Sequence, residues 1–196
     1  MKSKWVCTLL ILGHYSCTHF RIDPSTVISK NEMGGVVENR KEKVLINYYG
    51  DYWFHSPKKS NTLNWNKALL STLDVPGRGN MICCAHTIME PYCSSLMIIY
   101  HHTDRKNAIL LLKKKLMTRL NASNVVDSTI LVNSLNFERI SYELPDPYLK
   151  INTRCVEYFY EFDDNLVRVA FWTIESNEDW LFEESREIAG TLKKMN

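Results

Sequence analysis

The side chains best suited to nucleophilic or metal chemistry cluster in the middle of the chain: Cys83, Cys84, His86, Cys93, His101, His102 and, further on, Cys155. Cys84 and His86 lie two apart on a stretch that reads as a strand, so they share a face. An imidazole beside a thiol could generate a thiolate nucleophile, and a histidine from the next strand could complete a zinc-type ligand set. The spacing supplies neither motif: a Cys-Cys dipeptide is not the Cys-x-x-Cys of redox and zinc sites. A small thiol- or metal-dependent enzyme using Cys84 and His86 is therefore the rival expectation. The leading one is a protein without catalytic residues, resident metal or cofactor.

In an oxidising compartment the same cysteines could pair, with three connectivities open. Cys83 and Cys84 point to opposite faces of one strand, so one of them would meet Cys93 across the following loop. The expected disulfide joins Cys93 to Cys83 or Cys84, with Cys84 and Cys93 as the candidate pair. Buried reduced thiols acting as small hydrophobes are the alternative. Other catalytic signatures are absent: the sequence holds no Gly-x-Ser-x-Gly, no phosphate-cradling glycine loop, no His-Glu-x-x-His and no dinucleotide fingerprint. Glu183-Glu184 falls on a helical pattern and reads as a solvated face. Asp163-Asp164-Asn165 is explained by turn chemistry, without the ligand count of a calcium loop. The Lys113-Lys114-Lys115 run reads as the wet side of a helix. Asn121-Ala122-Ser123 is a glycosylation sequon, of use only in a eukaryotic secretory setting.

Aromatic residues are the remaining candidates for a functional surface. Tyr48, Tyr52, Trp53, Trp65, Tyr158, Tyr160 and Trp172 exceed what one face of a sheet needs, and strand alternation sends some outward. Tyr49, Asp51, Tyr52, Trp53 and Tyr92 are the expected partner-binding residues.

The elements that must hold these side chains follow from composition and periodicity. The chain has 196 residues, is 45% hydrophobic and 23% charged, and fits one soluble globular domain. Met1-Lys2-Ser3-Lys4, followed by apolar Trp5 to Leu12, has the form of a secretory signal; the apolar run is too short to span a membrane. Removing that leader leaves 22 basic against 22 acidic residues, which gives no electrostatic case for nucleic acid. Ser16-Cys17 at its end resembles the lipobox of bacterial lipoproteins, so Cys17 is the expected lipidation site in a leader of residues 1–17. His14 and Tyr15 depart from that pattern, and ordinary cleavage after Thr18, releasing a secreted protein, is the alternative. Residues 18–43 read as a tether or irregular segment, with Pro24, Ser25, Gly34 and Gly35. Residues 44–196 read as a single α+β domain.

Within that domain, Leu45–Tyr49 and Tyr52–His55 flank Gly50-Asp51 as a tight hairpin. A short helix follows through Leu63, Trp65, Leu69 and Leu73. Met81–Ile88 and Ser95–His102 are strands; Asp104 caps a helix with the apolar stripe Ile109, Leu112, Leu116 and Leu120. Ser128–Leu135, Phe137–Leu144, Tyr148–Phe162 and Leu166–Trp172 form a meander. The last helix begins at a Ser176 or Asn177 cap, with Glu178 and Asp179 in its first turn and Lys193 and Lys194 in its last, and buries Leu181, Ser185, Ile188 and Leu192. Strands in runs, with helices between the runs, predict a mainly antiparallel sheet of about six to seven strands with helices packed on it, an αβα sandwich.

The final strand, the acidic cap and the helix through Ile188-Ala189-Gly190-Thr191-Leu192 resemble the C-terminus of the PsbP-like superfamily, which includes bacterial DcrB-like proteins. Tyr48 to Pro57 resembles its opening hairpin. The resemblance implies an antiparallel sheet sandwiched by helices and binding or accessory roles outside the cytoplasm, generally without catalysis. The expectation is thus an exported, lipid-anchored, non-enzymatic binding or accessory protein of the cell envelope, periplasmic or on the outer membrane, with a protein partner there. An immunity or inhibitor protein that neutralises a toxin is the alternative of the same class.

Overall fold

A computed structural model describes residues 22–31, 34–54, 72, 75–77, 79–87, 93–145, 152–173 and 178–195. The expected leader with Cys17, the helix around Trp65, the cap at Ser176 or Asn177, and Tyr92 all lie outside the described residues. In chain order the elements are β1 (Thr26–Asn31), β2 (Gly34–Asn39), β3 (Val44–Tyr49), β4 (Tyr52–Phe54), β5 (Asn80–Thr87), β6 (Cys93–His101) and α1 (Arg105–Arg119). They continue with β7 (Ser123–Val132), β8 (Leu135–Pro145), β9 (Asn152–Phe162), β10 (Asn165–Thr173), α2 (Glu178–Ala189) and β11 (Lys193–Lys194). The expected α+β class is found. A seven-stranded sheet runs β4-β5-β6-β10-β9-β8-β7, and a four-stranded sheet runs β1-β2-β3-β11. Every paired strand in both is antiparallel.

Strand alternation gives the large sheet two buried faces. One carries Met97, Ile99, Phe137, Tyr158, Val167 and Phe171, and is covered by Leu181, Ile188 and Ala189 of α2 and by Val37, Val44, Ile46 and Tyr48 of the small sheet. The other carries Leu96, Ile98, Ile140, Phe159, Leu166 and Ala170, under Ala108, Leu112 and Leu116 of α1. Full burial of each such Leu, Ile or Phe contributes about 1.5–3 kcal/mol, so neither face is stable without its cover. α1 starts where Asp104 accepts a hydrogen bond from Asn107 N at 2.7 Å, as the sequence predicts. Leu181, Ser185, Ile188 and Leu192 are all buried, again as predicted.

Four expectations need correction. Of the segment read as a tether, residues 26–31 and 34–39 are ordered strands of the small sheet. The glycines there mark close packing: a Cβ on Gly35 would come within 2.5 Å of the Phe54 ring. Gly50-Asp51 does not join a hairpin. β3 pairs with β2 and β11, whereas β4 pairs with β5, so Gly50, at φ 76°, turns a corner between two sheets. Lys193 and Lys194 are not in the last helical turn, because α2 ends at Ala189 and the lysines pair with Leu45 and Val44 of β3. The strand expected over residues 128–135 is interrupted at Asn133-Ser134, both in the left-handed region, where the chain reverses from β7 into β8.

Candidate functional site

The corner at Gly50 divides its aromatic residues between inside and outside. Tyr48 points inward, with ring centroids 5.2 Å from Tyr52 and 5.3 Å from Phe54, both edge-on. Its hydroxyl lies 3.0 Å from Ser95 Oγ and 3.4 Å from Cys83 Sγ. That inner cluster fixes the strand ends, so the alternating residues must face outward: Tyr49 is 44% and Trp53 51% exposed. Lys30 of β1 sets its Nζ 4.3 Å above the Trp53 ring. Of the expected partner-binding residues, Tyr49 and Trp53 are thus presented at the surface and Asp51 is half-buried between them. Tyr52 is not available, being 5% exposed and packed in the inner cluster. Its phenol is pushed well up by burial, with Cys93 and Glu184 nearby adding to the effect.

Tyr49 also opens onto a cleft of about 760 Å³, walled by Asn47, by Leu135 beyond the β7–β8 turn, by Tyr160 and Phe162 of β9, and by residues 190–194. A neighbouring cleft of about 660 Å³ shares Tyr49, Asn133 and Thr191 and adds Glu183, Arg186 and Glu187 of α2. The junction is held rigidly. Asn133 donates to Gly190 O at 3.0 Å, and Asn47 N donates to the Thr191 hydroxyl at 2.8 Å. Tyr160 and Phe162 stack edge-on at 4.8 Å, and Lys194 pairs with Asp163 at 2.5 Å. The surface offers aromatic faces, amides and charges of both signs. Its described lining includes no histidine or cysteine, and the Thr191 hydroxyl is tied to backbone groups. It is suited to binding.

The cysteines and histidines do not assemble as the enzyme rival requires. Cys83, Cys84, Cys93 and Cys155 are free and buried. The expected Cys84–Cys93 disulfide is not formed, because strand register puts the two on opposite faces of the sheet: Cys84 opposes Leu96, three residues from Cys93. Cys83 does share the face of Cys93, but Cys83 opposes Met97, about 13 Å along the strand from Cys93 at the usual rise. Burial pushes Cys83 and Cys93 up to about 12 and raises Cys84 and Cys155 well above the usual thiol range. A protonated, enclosed thiol is the reverse of an activated nucleophile. His86 opposes Ser94, whereas His101 lies seven residues further along β6, roughly 23 Å away. Burial holds the His86 imidazolium disfavoured. His101 instead hydrogen-bonds Asn165 at 2.9 Å and approaches Glu42 at 3.4 Å. Among the described residues, no three His, Cys, Asp or Glu side chains come together as a metal-binding group.

One cluster was missed from sequence. Arg168, in the middle of β10, is fully buried, and its Nε and Nη2 lie 2.6 and 2.7 Å from the two oxygens of Glu157 on β9. Tyr142 donates its hydroxyl to the same carboxylate. Arg168 also donates to Thr72 O at 2.8 Å, to Thr72 Oγ1 at 3.0 Å and to Val75 O at 3.3 Å. Burial opposes its charge, but the Glu157 carboxylate, with Tyr100 and Tyr142 behind it, outweighs that and holds the guanidinium charged. The signal was present in the sequence: Arg168 shares strand parity with Leu166, Ala170 and Trp172, and Glu157 with Cys155 and Phe159. The cluster is enclosed and clamps the segment holding Thr72 and Val75 to the sheet, which makes it a structural centre.

No family model matches this sequence, and no curated protein matches it at the sequence level. Among solved structures, cyanobacterial PsbP (CyanoP) from Synechocystis sp. PCC 6803 is similar with a TM-score of 0.57 at 8% identity, covering 84% of this chain and 94% of that one. LpqN of Mycobacterium tuberculosis, described as involved in cell envelope biogenesis, gives a TM-score of 0.49 at 6% identity, covering 78% and 83%. The likeness to CyanoP establishes the fold as PsbP-like.

Proposed function

We propose that this PsbP-like domain is a non-catalytic binding protein of the cell envelope that engages a protein partner through the corner between its two sheets. The observation that carries the reading is the outward display of Trp53 and Tyr49 on a braced corner, beside clefts lined with further aromatic and charged groups. Tyr and Trp bury much area at little entropic cost, and a rigid support lowers that cost further. Export rests on the leader, with Cys17 as the lipid attachment point or, in the alternative, cleavage after Thr18 and secretion. The buried, protonated thiols are compatible with an oxidising compartment, since each lacks both the thiolate and the access that oxidation needs. Balanced charge argues against nucleic acid as the partner. An immunity or inhibitor protein is one form this function can take.

The test is capture of the tagged protein from the membrane fraction of its own host. A stoichiometric protein partner that is lost with Trp53→Ala and Tyr49→Ala, in variants that remain folded, is the expected result. Retention of the partner by both variants would overturn the assignment of the corner. Loss of biological activity in Cys84→Ser or His86→Ala, with partner capture unaffected, would instead favour the enzyme rival. Mass spectrometry showing an unmodified N-terminus beyond Cys17 would remove the lipid anchor and leave the secreted form.

A further inference from the structure

The outer edge of the large sheet is β7, a ten-residue strand that pairs with β8 on one side and, among the described residues, with no strand on the other. Such an edge presents a row of backbone donors and acceptors, and proteins usually blunt it with lysines, prolines or a bulge along its length. β7 has neither lysine nor proline, and its register shift lies at its beginning, between Ser123 and Val126, where Asn124 is left-handed. Its one charge, Asp127, is paired with Lys113 of α1 at 2.8 Å. Val126 is 53% and Leu131 66% exposed.

We propose that β7 is a homodimerisation edge, in which two copies of the chain pair these strands antiparallel about a two-fold axis through Ser128. The stretch Val125-Val126-Asp127-Ser128-Thr129-Ile130-Leu131 is self-complementary: it runs apolar, apolar, polar, polar, polar, apolar, apolar in both directions. Pairing about Ser128 sets Val125 against Leu131, Val126 against Ile130 and Asp127 against Thr129, on matching faces. On the α1 face, exposed Leu131 meets Val125, which already packs on the core beneath α1. On the α2 face, exposed Val126 meets Ile130, which already packs on the core beneath α2. Both apolar layers then continue across the axis. Each Asp127 lies diagonal to its mate, roughly 7–8 Å away, and brings Lys113 as its own counter-charge. Moving the axis by one residue loses these matches: centred on Asp127, it opposes two carboxylates; centred on Thr129, it sets Asp127 against Leu131.

Sedimentation equilibrium of the full chain, over a concentration series, should show a reversible monomer–dimer transition that Leu131→Lys and Val126→Lys each largely abolish while circular dichroism stays unchanged. The register is read by cysteine pairing, since directly opposed strand residues come within disulfide range. Under mild oxidation Ser128→Cys should yield a covalent dimer well above the parent protein. Thr129→Cys alone should not, but mixed with Asp127→Cys it should. Three results would each overturn the proposal: a monomer at every concentration, including one that binds a foreign strand peptide at this edge; a dimer indifferent to Leu131→Lys; or Thr129→Cys cross-linking as readily as Ser128→Cys.

Discussion

The two buried faces of the large sheet solve the placement of polar groups differently. Beneath α2 and the small sheet the buried polar contacts are between neutral groups in small sets, as between Tyr158 and Ser185 hydroxyls at 2.9 Å and between the Tyr48 hydroxyl and Ser95 at 3.0 Å, with Cys83 beside it. Beneath α1 a charged guanidinium and a carboxylate share one network with two tyrosines and the backbone of Thr72 and Val75. The carboxylates make the contrast sharper. Glu157 has Arg168 at hydrogen-bond distance, whereas Glu184, on α2 beside Tyr52, has Asp51 and Glu187 as charged neighbours and is pushed up to about 6, mainly by burial. A neutral pair loses only its own hydrogen bond when cut, while a shared ionic network exposes every member to the loss of one.

The largest effect should therefore come from Glu157→Gln, which leaves the Arg168 charge buried without its partner. An unfolding free-energy loss of about 3–5 kcal/mol is expected in urea titration, and the double change Glu157→Leu with Arg168→Met should recover most of it. A single variant costing under about 1 kcal/mol would mean that the two faces do not differ in this way. Next comes a matched pair of hydroxyl deletions. Tyr142→Phe, which removes a donor to a carboxylate, should cost about 1.5–3 kcal/mol, against about 0.5–1.5 kcal/mol for Tyr158→Phe, by the same titration.

The Glu184 carboxyl gives a smaller, pH-dependent signature. The unfolded chain releases its proton in the ordinary glutamate range, while the folded chain holds it up to about 6. Over that interval the folded state binds more protons, so stability falls as pH rises and stays lower above it. Partial exposure limits the amplitude to about 1 kcal/mol or less, and Glu184→Gln should flatten the profile in thermal melts across that range. The smallest effect belongs to the outward surface: Trp53→Ala should change stability by under about 1 kcal/mol while removing the partner in pull-down.

What could be read from sequence follows the same division. α1 and the β9–β10–α2 unit were legible because Leu112, Leu116, Leu181, Ile188 and the hairpin at Asp163-Asp164 advertise periodicity and turns within a short span. β1 and β2 were not, because their strands alternate Ser29, Lys30 and Glu38 with few apolar residues, and a one-sided small sheet needs no more. The corner at Gly50 has the local chemistry of a hairpin, and only the distant partners β2, β5 and β11 decide against one. Of the expected surface residues, Tyr49 and Trp53 obey alternation from buried Tyr48 and Phe54, and Tyr52 falls on the inner side by the same rule. Arg168 and Glu157 stayed hidden because a charge between apolar residues in a strand reads as the solvent side until its neighbour is known to carry the opposite charge.

The small sheet is closed by β11, whose Lys193 and Lys194 lie beside Leu45 and Val44, and Met195 N donates to Lys43 O at 2.8 Å. A sheet begun at Thr26 is thus finished by residues more than 160 positions later. During synthesis, β1, β2 and β3 leave the ribosome long before the strand that completes their edge, and before α2 can cover Val44, Ile46 and Tyr48. The N-terminal sheet therefore stays incomplete until residues 193–195 have been made, and the pairing that finishes it is one of the longest-range contacts in the fold.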